Sequence, residues 1–471
     1  MLFYEPLFLF LFLPIVLAAF LAVRRSPGTR AGVLLTASLL FYLWSEPLFV
    51  PVVLATCVTD HAIGRRIARD GQSRLWLTLG ILINVGMLAY YKYTGFAVNN
   101  LDVLLTALHA APVHVGAIAL PIGVSFIVFE KITYLVDINR GISRPAPRFT
   151  TYLLYVFLFP KLLAGPIIKY HELETQLLAF GRSHGDDLTE GFQRFMLGVV
   201  KKTILADTLS TGADMIFGVD SAKLGFADAW WGVVFFTFQI YIDFSAYSDM
   251  AIGLARMFGF RLNENFNKPY IACSITEFWR RWHISLSTWI RDYLYIPLGG
   301  NRVPVWRRYA NLWICFLASG LWHGAAWTYV VWGAYNGVFM VLERLFLLRL
   351  LDRLPRVAAN LFAFLVTMVG WTLFRATSLG QAWSFFGTML DPGRVNASPD
   401  VWRTSPMMTA VAVSALISFL PRVPGFDRMS GAVMDVPAGR FAVQLALSLL
   451  FVLALAKALA DPFKPFLYFR F

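Results

Sequence analysis

Charge is scarce in this 471-residue chain: Asp, Glu, Lys and Arg together make up 15% of it, against roughly 25% in soluble domains. With 58% hydrophobic residues, that scarcity excludes a soluble enzyme. Polar linkers are also missing. A soluble core stops growing near ~250–300 residues, so a soluble chain this long would divide into domains. Instead the apolar residues run in long blocks, as in LFLFLFLPIVLAAFLAV from Leu7 to Val23. Blocks of ~20 apolar residues fit the hydrocarbon thickness of a bilayer. The chain reads as an all-α polytopic membrane protein.

Cysteine is rare as well. Cys57, Cys273 and Cys315 are far apart, odd in number and without CxxC spacing, so neither a zinc site nor a disulfide framework is expected, and no metal. Acidic residues (28) are outnumbered by Lys and Arg (41), which gives +13. In a soluble protein this excess would raise nucleic-acid binding. Here the basic residues stand at the ends of apolar blocks, so they read as topological and headgroup anchors in a lipid bilayer, with no nucleic-acid partner. The N-terminus, MLFYEPLFLF, lacks a basic region and a cleavage site near Val23, and reads as a retained span. Internal repeats are absent, which weakens the inverted-repeat architecture of secondary transporters.

Apolar patterning places membrane-embedded segments at roughly 2–23, 31–44, 47–64, 75–91, 115–138, 151–168, 192–218, 230–258, 309–342 (broken near Gly320), 357–374, 408–420 and 439–460, about eleven transmembrane helices in all. Arg24, Arg25 and Arg30 follow the first span, Ser45–Glu46–Pro47 carries no basic residue, and Arg65, Arg66, Arg69 and Arg74 follow the third. Only Lys92 marks the next stretch, before Arg140, Arg144 and Arg148. The Lys/Arg excess marks cytoplasmic loops, which puts the N-terminus outside. Segment 151–168 contains Pro160, Lys161, Gly165 and Pro166. A backbone broken by proline at membrane depth needs protein or an aqueous cavity around it, so the segment reads as a re-entrant or kinked element beside a cavity. A peripheral kinked span is the alternative.

The stretch Ile275–Tyr293, ITEFWRRWHISLSTWIRDY, is amphipathic. Ile275, Phe278, Trp279, Trp282, Leu286, Trp289, Ile290 and Tyr293 share one arc, with Glu277, Arg280, Arg281, Ser287, Thr288, Arg291 and Asp292 opposite and Ile284 out of phase. It is expected to lie in the interface plane with its tryptophans in the apolar boundary. His283 falls at the edge of the arc, open to a catalytic role or to a hydrogen bond within the interface. His323 sits in FLASGLWHGAAWTYVVWGAYNG, where the nearest formal charges are Arg308 and Glu343, and is flanked by Gly320, Gly324, Ala325 and Ala326, small residues that let another helix or a ligand approach closely. An ionisable residue at such a place points to function by default, and a neutral imidazole accepts protons near physiological pH. The alternative is a helix–helix hydrogen bond. Asp243 and Asp249, in QIYIDFSAYSDMAIG, have i,i+4 partners in Tyr247 and Ser245, and either bond structurally or line a reaction cavity.

These stretches resemble the membrane-bound O-acyltransferase family, in particular its bacterial alginate O-acetyltransferase-like branch. The match runs through LPIGVSFIVFEKITYLVDINRG, FPKLLAGPI, YIDFSAYSDMAIGL, ENFNKPY, SITEFWRRWHISLSTWIRDYLYIPLGGNR and GLWHGAAWTYVVWGAYNG. WRRWHISLSTW followed forty residues later by LWHGA is highly specific. The resemblance implies a single transmembrane domain over 1–471 with a motif-bearing core at about 115–345. It implies a ring of transmembrane helices, with re-entrant and interfacial helices, around a central tunnel. The histidine of LWHG, the family's essential one, maps to His323, and that of RRWHISLS to His283. Trp279, Arg280, Trp282, Asp243 and Asp249 are the candidates for tunnel or donor binding.

By the same resemblance the chain is an O-acyltransferase of the bacterial inner membrane. It holds no bound cofactor and uses acetyl-CoA or another acyl thioester as donor. Its acetyl group goes to an exported polysaccharide such as alginate, through a periplasmic or membrane-anchored acetyltransferase partner. DPFKPFLYFRF ends the chain soon after the last span, so final attachment to the polymer is expected to need that separate partner. A peptidoglycan or cellulose O-acetyltransferase, or a teichoic acid D-alanyl transferase, would share most of these motifs. A transporter or channel, with Asp243, Asp249 and His323 as a relay, is the alternative from a different class.

Overall fold

A computed structural model describes residues 1–23, 25–113, 115–116, 118–179, 185–220, 223–395, 402–461 and 464–467. Arg24 of the first basic loop, and part of the DPFKPFLYFRF end, lie outside those residues. The described chain is helical with no strand among the described residues. It divides into two units: Met1–Phe192 with Ala251–Asn263, and Gln193–Met250 with Glu264–Phe471.

Five helices among the described residues are long and apolar enough to cross a bilayer: Arg74–Ala107, Trp327–Leu351, Arg356–Arg375, Ser405–Arg422 and Pro437–Ala460. Phe8–Ala22 is apolar but shorter. The chain is a multi-pass membrane protein. Other helices expected to span fall short of those criteria for visible reasons. The expected 115–138 span is a helix only over Val124–Asn139, and that helix carries Glu130, Lys131 and Asp137.

In the first unit, helix starts are set locally. Ser26 Oγ accepts the Thr29 amide at 3.4 Å and Pro27 occupies the first turn of the Pro27–Ser45 helix, a favourable cap and a favourable proline position. Gly123, at φ +80°, leads into Val124–Asn139, and a Cβ there would meet the Leu162 carbonyl oxygen at 3.0 Å. The charges of that helix are matched inside the unit. Lys131 Nζ lies 3.1 Å from Asp60 Oδ2 with both side chains wholly buried, Lys161 pairs with Glu130, and His171 Nδ1 is 2.8 Å from Asp137. Burial of an unpaired charge would cost several kcal/mol (roughly, by general estimates), so pairing is the condition for these residues to be inside.

Segment 151–168 is broken as expected. The Phe149–Phe157 helix stops at Leu158, and a one-turn helix, Phe159–Leu162, follows with Pro160 in its first turn. Every residue from 152 to 170 is buried, so protein encloses the irregular backbone and the segment is not a peripheral span.

In the second unit, Val305–His323 and Trp327–Leu342 form a tight helical hairpin. The break expected near Gly320 lies instead at Gly324–Ala326, where Gly324 (φ −162°, ψ 148°) and Ala326 (φ −146°, ψ 154°) are extended. Gly320 remains helical because it serves the helix crossing: a Cβ there would lie 2.3 Å from the Tyr329 carbonyl oxygen. Gly333 is its counterpart, with the Phe316 carbonyl oxygen 2.4 Å from its would-be Cβ. Two glycines thus let the backbones approach closely, as small residues do between membrane helices.

Candidate functional site

The stretch Ile275–Tyr293 is not one interfacial helix. It forms two seven-residue helices, Ile275–Arg281 and Ile284–Ile290, followed by a π-helical turn, Arg291–Tyr295. The first is held at its start from two sides. Ser274 Oγ accepts the Glu277 amide at 3.0 Å, an N-cap, while the buried Glu343 carboxylate accepts the amides of Ile275 and Thr276 and the Thr276 hydroxyl. Ile275 packs with Met340 and Ala363, so this helix is embedded in protein rather than laid on a surface. Between the two helices Trp282 is extended (φ −101°, ψ 131°) and His283 is left-handed (φ 42°, ψ 55°). That break explains why Ile284 violates a single helical arc.

A left-handed conformation costs a non-glycine residue roughly 1–2 kcal/mol, so something must hold His283 there. Asn265 does. Its backbone oxygen accepts the Ile284 amide at 2.9 Å. Its side-chain Oδ1 accepts the Ser285 amide at 3.2 Å and the Ser285 hydroxyl at 2.9 Å, and lies 3.1 Å from His283 Nδ1. Asn265 Nδ2 donates to Ser248 Oγ at 3.3 Å. His283 is therefore fully buried, not placed at the edge of an interfacial arc. Burial in these surroundings, outside the five candidate spans, pushes its imidazole down to about 3, so it is neutral at physiological pH.

His323 is the last residue of the Val305–His323 helix and is 5% exposed. Its ring meets Trp332 edge-on at 5.1 Å between centroids, Trp322 at 5.0 Å and Phe374 at 5.3 Å. Trp322 also lies 5.9 Å from His283. One indole thus touches both imidazoles, although they are forty residues apart in sequence. Small residues beside His323 were expected to admit a helix or ligand. Gly324 admits the Tyr329 ring, which would stand 2.1 Å from a Cβ at that position.

Trp279 and Trp282 join the same aromatic system. Trp279 lies 5.7 Å from Trp332 and Trp282 5.0 Å from Trp371, which stacks on Trp332 at 5.8 Å. Arg280 is exposed. Arg281 pairs with Glu277 at 2.8 Å and Arg291 with Asp292 at 2.7 Å. Asp243 and Asp249 do not take their helical neighbours Tyr247 and Ser245 as partners in the bonds that hold them. Asp243 pairs with Lys202 at 2.9 Å and accepts the Leu467 amide. Asp249 pairs with Arg194 at 2.7 Å and Lys201 at 2.9 Å.

Asn265, Trp322, Phe374 and Glu343 escape the sequence reading. ENFNKPY enters there only as one of the matching stretches, and nothing in the local pattern separates Asn265 from its neighbours Asn263 and Asn267. Chemically, the arrangement offers two imidazoles among aromatic rings that exclude water. No group of three or more His, Cys, Asp or Glu side chains suited to a metal occurs among the described residues.

The sequence profile of the membrane-bound O-acyltransferase family matches residues 142–379, the span that contains both histidines and the aromatic system. The chain belongs to that family, and is an O-acyltransferase. Among its relatives, the probable alginate O-acetylase AlgI of Azotobacter vinelandii is 40% identical over the whole of both chains. The protein of the same name from Pseudomonas aeruginosa is 38% identical over the whole of both chains. The peptidoglycan O-acetyltransferase of Helicobacter pylori is 34% identical over 81% of this chain and 78% of that protein.

Proposed function

We propose that this protein is an inner-membrane O-acetyltransferase that supplies acetyl groups for O-acetylation of an exported polysaccharide, alginate being the first candidate. The full-length similarity to alginate O-acetylases supports that substrate class over peptidoglycan, where the similarity is lower and covers less of the chain. The donor in this reading is a cytoplasmic acyl thioester such as acetyl-CoA. A periplasmic or membrane-anchored acetyltransferase partner completes transfer to the polymer. The whole of 1–471 acts as one transmembrane domain with its N-terminus outside.

The observation that carries the reading is the convergence of His283 and His323 on Trp322. In acyl transfer a hydroxyl oxygen attacks the thioester carbonyl, the new C–O bond forms, the C–S bond breaks and the thiolate leaves. The hydroxyl is a poor nucleophile until a base removes its proton as the bond forms. His323 is that base, and it returns the proton to the departing thiolate. His283 orients the reactants, with Trp279 and Trp282 lining their path and Arg280 attracting the donor's phosphates. Asp243 and Asp249 brace the helices through their ion pairs.

Loss of a positioned base commonly costs ~10²–10⁴-fold in rate. His323→Ala should therefore insert and fold normally yet transfer labelled acetyl from the thioester at least a hundredfold more slowly (about 10², the lower bound). Near-normal turnover in a well-folded His323→Ala would refute the assignment.

A further inference from the structure

His283 has two ring nitrogens, and its contacts decide which carries the proton. Asn265 is the deciding residue. Its amide oxygen and nitrogen could in principle be exchanged, but the Ser285 backbone amide, which only donates, lies 3.2 Å from the atom facing His283. That atom is therefore the carbonyl oxygen Oδ1, and the opposite Nδ2 donates to Ser248 Oγ. An imidazole nitrogen 3.1 Å from a carbonyl oxygen must bring a hydrogen, since two lone pairs at that distance repel. His283 Nδ1 thus carries the N–H, and in a neutral ring Nε2 is left with the lone pair.

We infer that Asn265 is a positioning residue, which locks buried His283 in the Nδ1–H tautomer and so makes its Nε2 a hydrogen-bond acceptor for a donor group of the reactants. This rests on the reading of His283 and His323 as the acyl-transfer site, and adds to it the direction of the His283 hydrogen bond. The same asparagine holds the conformation that presents the ring. It binds residues 283, 284 and 285 in succession, through Oδ1 to His283 and Ser285 and through its backbone oxygen to Ile284, and His283 is the one left-handed residue among them. A helix-supporting role alone would not require the side chain to face the imidazole. His323 still takes the reacting proton; His283 accepts a hydrogen bond and does not ionise.

A double-mutant cycle on acetyl transfer tests this, with His283→Ala, Asn265→Leu and the two combined. Misplacement of a group by about 1 Å can cost on the order of 10²-fold, so each single variant should lower kcat by roughly 10–10²-fold, and the double variant should be no slower than His283→Ala alone. Asn265→Asp, which keeps an acceptor oxygen facing Nδ1, should restore activity to within about tenfold of the unmodified protein (one tenfold step being the resolution of the comparison). Multiplying effects in the double variant, or full activity in Asn265→Leu, would overturn the inference while leaving the two-histidine site standing. Full activity in His283→Ala would instead bring down the site assignment of that histidine, and this inference with it. Should Asn265→Leu fail to fold, ¹⁵N NMR of histidine-labelled protein, assigned by difference with His283→Gln, decides on the unmodified site. A protonated Nδ1 and an unprotonated Nε2 are expected; the reverse pattern overturns the inference.

Discussion

Replacing Gly320 with alanine tests whether the helical hairpin that carries His323 is set by backbone approach. The added Cβ would stand 2.3 Å from the Tyr329 carbonyl oxygen, 3.1 Å from its carbon and 3.3 Å from Gly333 Cα. All three are backbone atoms, so no side chain can swing aside. Ordinary contact begins near 3.4 Å, and the helices must part by about 1 Å, a displacement that by itself can cost on the order of 10²-fold in rate when it moves a reacting group. His323 lies one turn beyond Gly320 on the same helix and would move with it. Overpacking of this kind typically costs ~1–3 kcal/mol. Gly337→Ala is the control. Its Cβ would meet only the Trp313 ring at 3.5 Å and Phe316 Cβ at 3.6 Å, and alanine gains up to ~1 kcal/mol over glycine in a helix interior. Thermal unfolding in detergent and acetyl transfer should therefore both fall for Gly320→Ala, and neither for Gly337→Ala. Equal melting temperature and turnover in the two variants would refute the close-approach argument.

Three further outcomes are expected. Glu343→Ala strips the buried Ile275 amide and the half-buried Thr276 amide of their acceptor, and a stranded buried donor costs ~1–3 kcal/mol, so the variant should melt lower, while an unchanged melting temperature would show that the cap is idle. Because Arg281 and Arg291 are already paired, Arg280→Glu alone should slow use of a phosphate-bearing thioester, more at low salt than at high salt; a salt-independent rate would leave Arg280 as a lipid anchor. A single cysteine at Ser26, in a background lacking Cys57, Cys273 and Cys315, should resist impermeant thiol reagent added to sealed cells, since the basic loop is expected inside; prompt labelling would reverse the topology.

The helical class, the membrane setting and the family were legible from periodicity and motifs, because apolar blocks and sequence-local patterns carry them. What the sequence hid is non-local. The apolar arc across Ile275–Tyr293 looked continuous because residues on either side of a break can each keep helical spacing; only the bonds from Asn265 to residues 283–285 show where the backbone turns. The break was placed near Gly320, itself also read as a close-approach residue; a glycine alone does not separate the two, and the choice depends on Tyr329 and Gly333, which pack against it. Pro160 and Gly165 were read correctly as a break, since proline removes a donor whatever surrounds it; that protein encloses it appears only in the burial of residues 152–170. Asp243 and Asp249 were given i,i+4 partners because those are the neighbours a sequence shows; Lys202 and Lys201 lie 41 and 48 positions upstream of them and were invisible to that reasoning.

Those two aspartates also bear on the choice between acyl transfer and a proton-relay transporter. A relay through Asp243, Asp249 and His323 needs carboxylates that gain and lose protons during turnover. Asp243 faces Lys202, which also binds Asp207 at 2.9 Å, and Asp249 faces both Arg194 and Lys201. Taking either carboxylate out of its pair would leave a cation short of its partner, a change that costs on the order of 3–5 kcal/mol when the pair is buried. His323 instead meets the aromatic rings of Trp322, Trp332 and Phe374. In the mechanism we propose, the charges hold helices and proton transfer falls to imidazole, which is what an attack by a hydroxyl on a thioester asks for and what a carboxylate relay does not.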